Sequence, residues 1–194
     1  MNFLAHTYLS GSDKEIMIGN FIGDHVKGNG WERYRQGIIN GIRLHRMIDA
    51  FTDQHPVFNQ SSDRHQHKYH KYAGVITDMY YDHLLAANWD DYSDEELYTF
   101  TRRNYMVLMK NYLILPKKTK TILPFIMRSN WLASYADLDF LQRAFQGMAI
   151  RTPFKSGMEN AVSDLKDHYQ QYLEEFRRFF PDIIKYAAGV REDF

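Results

Sequence analysis

Apolar residues along this chain recur mostly three and four positions apart, the spacing that places them on one face of an α-helix. Short alternating runs of β-branched residues, which would indicate strands, are scarce. The chain has five prolines and no Pro/Gly-rich linker or internal repeat. The pattern therefore predicts an all-α, single-domain helical bundle over residues 1–194. Its predicted helices cover 14–27, 32–53, 64–87, 94–113, 121–134, 138–150 and 156–180.

Local signals predict where some of these helices begin and end. Ser12 and Glu15 form the pattern S-x-x-E, which predicts Ser12 as the N-cap of the first helix. Ser93 is the corresponding N-cap candidate for the helix that follows it. Pro181 is expected to stop the last helix, because proline cannot donate the helical hydrogen bond.

Composition excludes several classes of site. There are no cysteines, so the chain has no disulfide framework, thiolate zinc site or cysteine nucleophile. No apolar run approaches the roughly 20 residues that a membrane helix needs. The first residues, MNFLAHTYLS, lack the basic start of a signal peptide. We therefore expect a cytoplasmic protein with no membrane partner.

Charge is balanced overall but unevenly distributed. Lys plus Arg and Asp plus Glu are 24 each, whereas residues 97–136 contain no acid at all. Such a block can steer an acidic partner, although by itself it is more typical of a solvated basic face that has no partner. It matches no DNA-binding motif, so we expect no nucleic-acid partner. Its seven cations are Arg102, Arg103, Lys110, Lys117, Lys118, Lys120 and Arg128.

Candidate metal ligands are concentrated in the first part of the chain, where eight of the nine histidines lie within residues 1–83. His45, Asp49 and Asp53 are spaced four residues apart on one predicted helix, so they share a face. Polar groups within an apolar helix need a partner or a metal. The alternatives are metal ligands or a buried salt-bridge network with Arg43 and Arg46.

Two further segments carry carboxylates. Asp24 follows an apolar stretch, and it is either an inward-pointing ligand or a solvated helix-end charge. Asp78 and Asp82 lie one helical turn apart, and a divalent cation is a common way to tolerate such a like-charged pair. The alternative, one carboxylate buried and the other exposed, is less natural because both share a helix face. His6 is a further candidate, as a ligand, a general acid or a packed core residue. Oxygen and imidazole ligands without thiolates suit manganese, iron or magnesium.

Several familiar phosphate and nucleophile motifs are missing. The chain has no G-x-x-x-x-G-K-[ST] loop, no G-x-G-x-x-G and no G-x-S-x-G elbow. These absences disfavour a P-loop NTPase, a dinucleotide enzyme and an α/β-hydrolase. Among the basic residues outside the acid-free block, Arg64 is placed to reach a phosphate.

Four segments together resemble the acyl carrier protein phosphodiesterase family. They are MNFLAH at 1–6, GNFIGDHVKG at 19–28, GIRLHRMIDAFTDQHP at 41–56 and AGVITDMYYDHLLAANW at 73–89. The resemblance implies hydrolysis of 4′-phosphopantetheine from holo-acyl carrier protein, giving the apo protein. It also implies a divalent cation, with manganese favoured over magnesium or iron, and an all-helical fold distantly related to HD-domain phosphohydrolases.

The resemblance also suggests which residues carry the reaction. The chain lacks the usual His-Asp dipeptide and has Asp82-His83 in reverse order, so only positions within the four segments are taken as metal ligands. The phosphodiester is expected to be held by Arg46, Arg43 and Arg64, and the leaving serine to be protonated by His6 or His83. The expected metal ligands are Asp24, His45, Asp49, Asp78 and Asp82.

The acid-free block is then the expected docking surface, because carrier proteins are small and acidic and their modified serine begins a helix flanked by acids. Its docking residues are Arg102, Arg103, Lys110, Lys117, Lys118 and Lys120. Two other functions remain open from the residues alone. One is a metal-dependent phosphohydrolase that acts on a nucleotide or another small phosphodiester. The other is a non-catalytic module that binds a carrier protein.

Overall fold

The computed structural model describes residues 2–194, and within them it contains α-helices, short 3-10 turns and no strand. The prediction of an all-α fold is therefore confirmed. The helices are α1 (Phe3–Leu9), α2 (Lys14–Ile22), α3 (Gln36–Gln54), α4 (Pro56–Tyr69), α5 (Ala73–Ala87), α6 (Leu97–Lys110), α7 (Lys117–Arg128), α8 (Trp131–Ser134), α9 (Leu138–Arg151), α10 (Ala161–Asp167) and α11 (Tyr169–Glu192).

Buried apolar side chains from α1 to α11 form one hydrophobic cluster, and most of the tyrosines and phenylalanines belong to it or pack against it. That residues 1–194 are a single domain stays a prediction. In the described part of the chain, no helix is both long enough and apolar enough to span a bilayer.

Helices α2 and α3 pack so closely that neither Gly19 nor Gly41 has room for a side chain at their contact. A methyl group on Gly19 would overlap the carbonyl oxygen of Ile38 and lie 2.8 Å from Cα of Gly41. A methyl group on Gly41 would likewise overlap the carbonyl oxygen of Ile16. The two glycines therefore permit backbone contact between the helices that carry most of the candidate site.

Several predicted helix ends were wrong. Asp13, not Ser12, caps α2, because its carboxylate accepts from the amides of Glu15 at 2.8 Å and Ile16 at 3.0 Å. The predicted helix 64–87 is two helices, broken where His70 adopts a positive φ of 50°. Pro181 lies inside α11, which continues to Glu192.

Candidate metal centre

Four polar side chains from three elements lie close together in the structure. They are His6 on α1, Asp24 on the 3-10 turn Gly23–His25, and His45 and Asp49 on α3. Nε2 of His6 lies 3.1 Å from Oδ1 of Asp49, and Nε2 of His45 lies 3.3 Å from Oδ2 of Asp49. Oδ1 of Asp24 is also 3.3 Å from Nε2 of His45. His6, His45 and Asp49 offer ligand atoms close enough to hold one metal ion.

Asn20, one turn before Asp24, orients both imidazoles. Its side-chain oxygen accepts from Nδ1 of His6 at 2.8 Å, and its carbonyl oxygen accepts from Nδ1 of His45 at 2.8 Å. The side-chain nitrogen Nδ2 of Asn20 donates to the His6 carbonyl and to Ser10 Oγ. These two hydrogen bonds fix the orientation of the side-chain amide. Both Nδ1 atoms therefore carry the hydrogen, and both Nε2 atoms face the carboxylates.

The protonation of His6 favours a metal ion at this position. Burial, and then the neighbouring His45, lower the pKa of His6 to about 4, so the ring is neutral near pH 7. Its Nε2 then presents a lone pair to the Asp49 carboxylate, and it has no hydrogen-bond partner among the described residues. A buried lone pair opposite an anion is unfavourable unless a cation lies between them. The donor set therefore fits a divalent metal, and the Nδ1 hydrogen bonds are the usual supporting contacts.

The expected general-acid role of His6 does not fit this arrangement. With a pKa of about 4, and with its hydrogen on Nδ1 bonded to Asn20, His6 has no proton on Nε2 to donate near neutral pH. Asp24 is also held in its ionised form, because its contact with the His45 side chain lowers its pKa to about 2. Both residues are thus suited to binding a cation.

Local sequence explains how α3 and the preceding turn reach this geometry. His45 and Asp49 are one helical turn apart, so they face the same side of α3. Gly23 leaves room for the His45 ring, since a methyl group there would lie 2.5 Å from its Cδ2. Asp53, one turn further, is exposed and outside the cluster.

The structure gives Asp82 a different role from the expected metal ligand. Its buried carboxylate accepts from the backbone amides of Asn2, Leu4 and Ala5 at 3.2, 2.8 and 3.4 Å. These are the free amides at the start of α1, so Asp82 fixes the helix that carries His6. Burial nevertheless raises the pKa of Asp82 to about 7.

Asp78 is half-buried on α5, one turn before Asp82. Burial raises the pKa of Asp78, and the negative charges of Asp49 and Asp53 add to the effect. The role of Asp78 as a metal ligand stays a prediction.

Two of the predicted phosphate-binding arginines lie on the exposed side of α3. The guanidinium of Arg43 lies 5.5 Å from the centre of the Trp31 ring. Arg46, three residues along, donates to the carbonyl of Val26 at 3.4 Å. Both arginines come from the same helix as His45, and neither is held by a carboxylate among the described residues.

Arg64 and His83 have other partners. Arg64 forms a two-pronged ion pair with the buried Glu175 of α11, so its charge is already neutralised. This pairing contradicts the expected phosphate contact. His83 is buried, and its Nδ1 donates to the carbonyl of Tyr135 at 2.8 Å while its ring packs against Tyr169. It therefore faces α8 and α11 rather than the His6–His45 pair.

The predicted docking residues lie on two different helices. Arg102, Arg103 and Lys110 are exposed on α6, where Arg103 pairs with Glu95 at 2.7 Å. The others lie on the first turn of α7, and that turn contacts the 3-10 turn Gly23–His25, which also carries Asp24. Thr119 Oγ1 is 2.7 Å from Nδ1 of His25, the residue after Asp24. The second group, Lys117, Lys118 and Lys120, is therefore the one beside the site.

Asn20 is the residue of this site that the sequence analysis missed. The sequence did contain a signal for it, because Asn20 is an uncharged polar residue among apolar ones, four positions before Asp24. What the sequence did not show is that this amide faces histidines 14 and 25 residues away.

Comparisons with known proteins identify the family of this chain. A family model described as acyl carrier protein phosphodiesterase matches residues 1–183. Relatives named acyl carrier protein phosphodiesterase include one from Photorhabdus laumondii, 32% identical over 97% of this chain and 96% of the relative. Others come from Yersinia enterocolitica, 30% identical over 96% and 97%, and Escherichia coli, 28% identical over 97% and 98%. No solved structure gave a significant match, so the likeness to HD-domain folds stays a prediction.

Proposed function

This chain belongs to the acyl carrier protein phosphodiesterase family, and we propose that it hydrolyses the phosphodiester joining 4′-phosphopantetheine to the serine of holo-acyl carrier protein. The products are apo-acyl carrier protein and 4′-phosphopantetheine. The enzyme class is phosphoric diester hydrolase. The family match over nearly the whole chain is the observation that carries the proposal. The possible metal site formed by His6, His45 and Asp49 supports it.

The proposed cofactor is a divalent metal held by His6, His45 and Asp49, with Asp24 beside them. Such a cation, when bound, neutralises phosphate charge and lowers the pKa of water. Asn20 keeps both Nε2 lone pairs directed at the cation site. Manganese is the proposed ion, because mixed imidazole and carboxylate ligands suit it, and magnesium and iron are the alternatives.

Arg43 and Arg46 are the proposed ligands of the phosphodiester oxygens. They lie on the exposed side of the helix that supplies His45 and Asp49, and guanidinium groups bind phosphate through two parallel hydrogen bonds. Trp31 packs beside Arg43 and restricts its conformations. Replacing either arginine by alanine should raise KM for holo-carrier protein and lower kcat.

The decisive test is the intact mass of holo-acyl carrier protein after incubation with this chain. We expect loss of the phosphopantetheine mass with manganese and none with EDTA. Asp49→Asn should abolish the loss, because it removes a carboxylate from the metal cluster, whereas Asp53→Asn on the same helix should behave as wild type. Circular dichroism confirms that each variant is folded.

The same assay separates the competing functions. Turnover of nucleotides or other small phosphodiesters without loss of phosphopantetheine would refute the proposed substrate and favour a small-molecule phosphohydrolase. Binding of carrier protein with no turnover and no bound metal would favour a non-catalytic module. Full activity of Asp49→Asn would remove the cluster from the mechanism.

A further inference from the structure

A groove of about 620 Å³ lies between the segment that precedes α3 and the segment that joins α6 to α7. Neither segment supplies a residue of the His6–His45–Asp49 cluster. The lining combines cationic and apolar side chains from distant parts of the sequence. Its members used below are Arg33, Arg35, Leu113, Ile114, Lys117 and Lys120.

The groove is predominantly positive. Its four cations outnumber its one carboxylate, that of Glu15, whose Oε1 lies 3.4 Å from Nη1 of Arg35. Lys120 donates to the carbonyl of Leu113 at 2.7 Å, so its ammonium group is held at this edge. The guanidinium group of Arg33 lies over the Tyr34 ring and donates a hydrogen bond to the Tyr34 hydroxyl. These cations favour an acidic partner.

The groove also exposes two adjacent aliphatic side chains. Leu113 is 87% exposed and Ile114 is 42% exposed, in the turn between α6 and α7. Apolar residues surrounded by charged ones are typical of the centre of a protein interface, where a few anchors supply most of the affinity. A free phosphate would make no apolar contact with these two side chains.

One wall of the groove contacts the 3-10 turn that carries Asp24. Lys117 and Lys120 flank Thr119 on α7, and Thr119 is hydrogen-bonded to His25 at 2.7 Å. His25 directly follows Asp24. A partner in the groove therefore lies beside the turn that supplies a site carboxylate.

We infer that this groove binds an acidic amphipathic helix of the carrier protein. Leu113 and Ile114 meet its apolar residues, and the four cations meet its carboxylates. Arg33 and Arg35 lie outside the acid-free block, so the docking surface differs from the one that charge along the sequence predicts. The inference rests on the proposed function, because the phosphodiester substrate is attached to a serine that begins an acid-flanked helix.

The test compares Leu113→Asp with Ile150→Asp. Both residues are exposed aliphatics, 87% and 85% accessible, so neither change disturbs the core, but Ile150 lies on α9 outside the groove. Binding of apo-acyl carrier protein measures docking without the phosphodiester. Steady-state kinetics with the holo form and with bis(p-nitrophenyl) phosphate separate docking from chemistry.

We expect Leu113→Asp to weaken apo-carrier binding by about tenfold or more, the loss typical of an interface anchor. The ratio of kcat/KM for holo-carrier to kcat/KM for the small diester should fall by a similar factor, mainly through KM. Ile150→Asp should leave both measurements at the wild-type value. Lys117→Glu should weaken binding most at low salt.

Wild-type binding by Leu113→Asp, or equal losses in both variants, would overturn the inference. If Leu113→Asp instead changed the sedimentation of the free enzyme without changing carrier binding, the groove would be a contact between copies of this chain, and the inference would also fail. Failure of the proposed function is distinct, because it would show as no release of phosphopantetheine by the wild-type chain.

Discussion

The contact between α2 and α3 can be tested with a single methyl group. Gly19→Ala would place Cβ on the carbonyl oxygen of Ile38 and 2.8 Å from Cα of Gly41. Carbon atoms in contact lie about 3.5–4.0 Å apart, so the two helices must separate by about 1 Å. Neither neighbour can rotate away, because both are backbone.

The expected loss of stability follows from two opposing effects. Overpacking a rigid contact costs about 3 kcal/mol, at the upper end of the usual range. Alanine regains about 1 kcal/mol over glycine inside a helix. The net loss should be about 2 kcal/mol, which lowers the urea midpoint by about 1 M for a protein of this size.

Gly189→Ala is the matched control. Gly189 lies within α11, and a methyl group there meets nothing within 4 Å. The same substitution should therefore stabilise the protein by about 0.5–1 kcal/mol. Urea titrations followed by circular dichroism measure both variants. A midpoint for Gly19→Ala equal to or above that of the wild type would refute the close backbone contact.

Separating α2 from α3 should also weaken metal binding, because the carbonyl of Asn20 lies 2.8 Å from Nδ1 of His45. The loss of such a supporting contact reduces metal affinity by about 10–100-fold. Manganese titration of the folded Gly19→Ala variant, monitored by calorimetry, measures this loss. Unchanged affinity would mean that the helix spacing does not set the ligand geometry.

Three other predictions concern side chains. Asn20→Ala should reduce manganese affinity by about 10–100-fold, measured by calorimetry, and equal affinity would contradict its orienting role. The pKa of His6 falls from 6.5 to about 4 on folding, so only the unfolded chain is protonated between these values. Stability in EDTA should therefore fall as pH drops through that window, by up to about 1.4 kcal/mol per pH unit, and urea midpoints for His6→Gln should lack this contribution. Glu175→Gln should lower the free energy of unfolding by about 3 kcal/mol, because it leaves Arg64 unpaired. The control is Asp91→Asn, which breaks the exposed pair of Asp91 with Arg177 and should cost less than about 1 kcal/mol in thermal melts.

Sequence reasoning worked best where the relevant distance lies within one helix. The apolar spacing predicted an all-α fold, and the structure confirms it. His45 and Asp49 were paired correctly because four residues make about one turn, whatever the helix packs against. The four motifs also identified the family, which the comparisons confirm.

The same reasoning failed where a side chain's task depends on another element. Asp78 and Asp82 share a helix face, yet Asp82 binds the amides at the start of α1. Arg64 was expected at a phosphate, but it pairs with Glu175, 111 residues away. Nothing in the local sequence marks either partner, because both are brought close only by packing between helices.

By itself, the sequence determined the helical class, the family and the set of residues from which a metal site can be built. Only the tertiary structure decided which of them meet. The contact of Gly19 with α3 brings Asn20 against His45, and the capping of α1 by Asp82 positions His6. Helical periodicity specifies the direction of a side chain relative to its own axis, whereas the distance between two axes depends on how the helices pack.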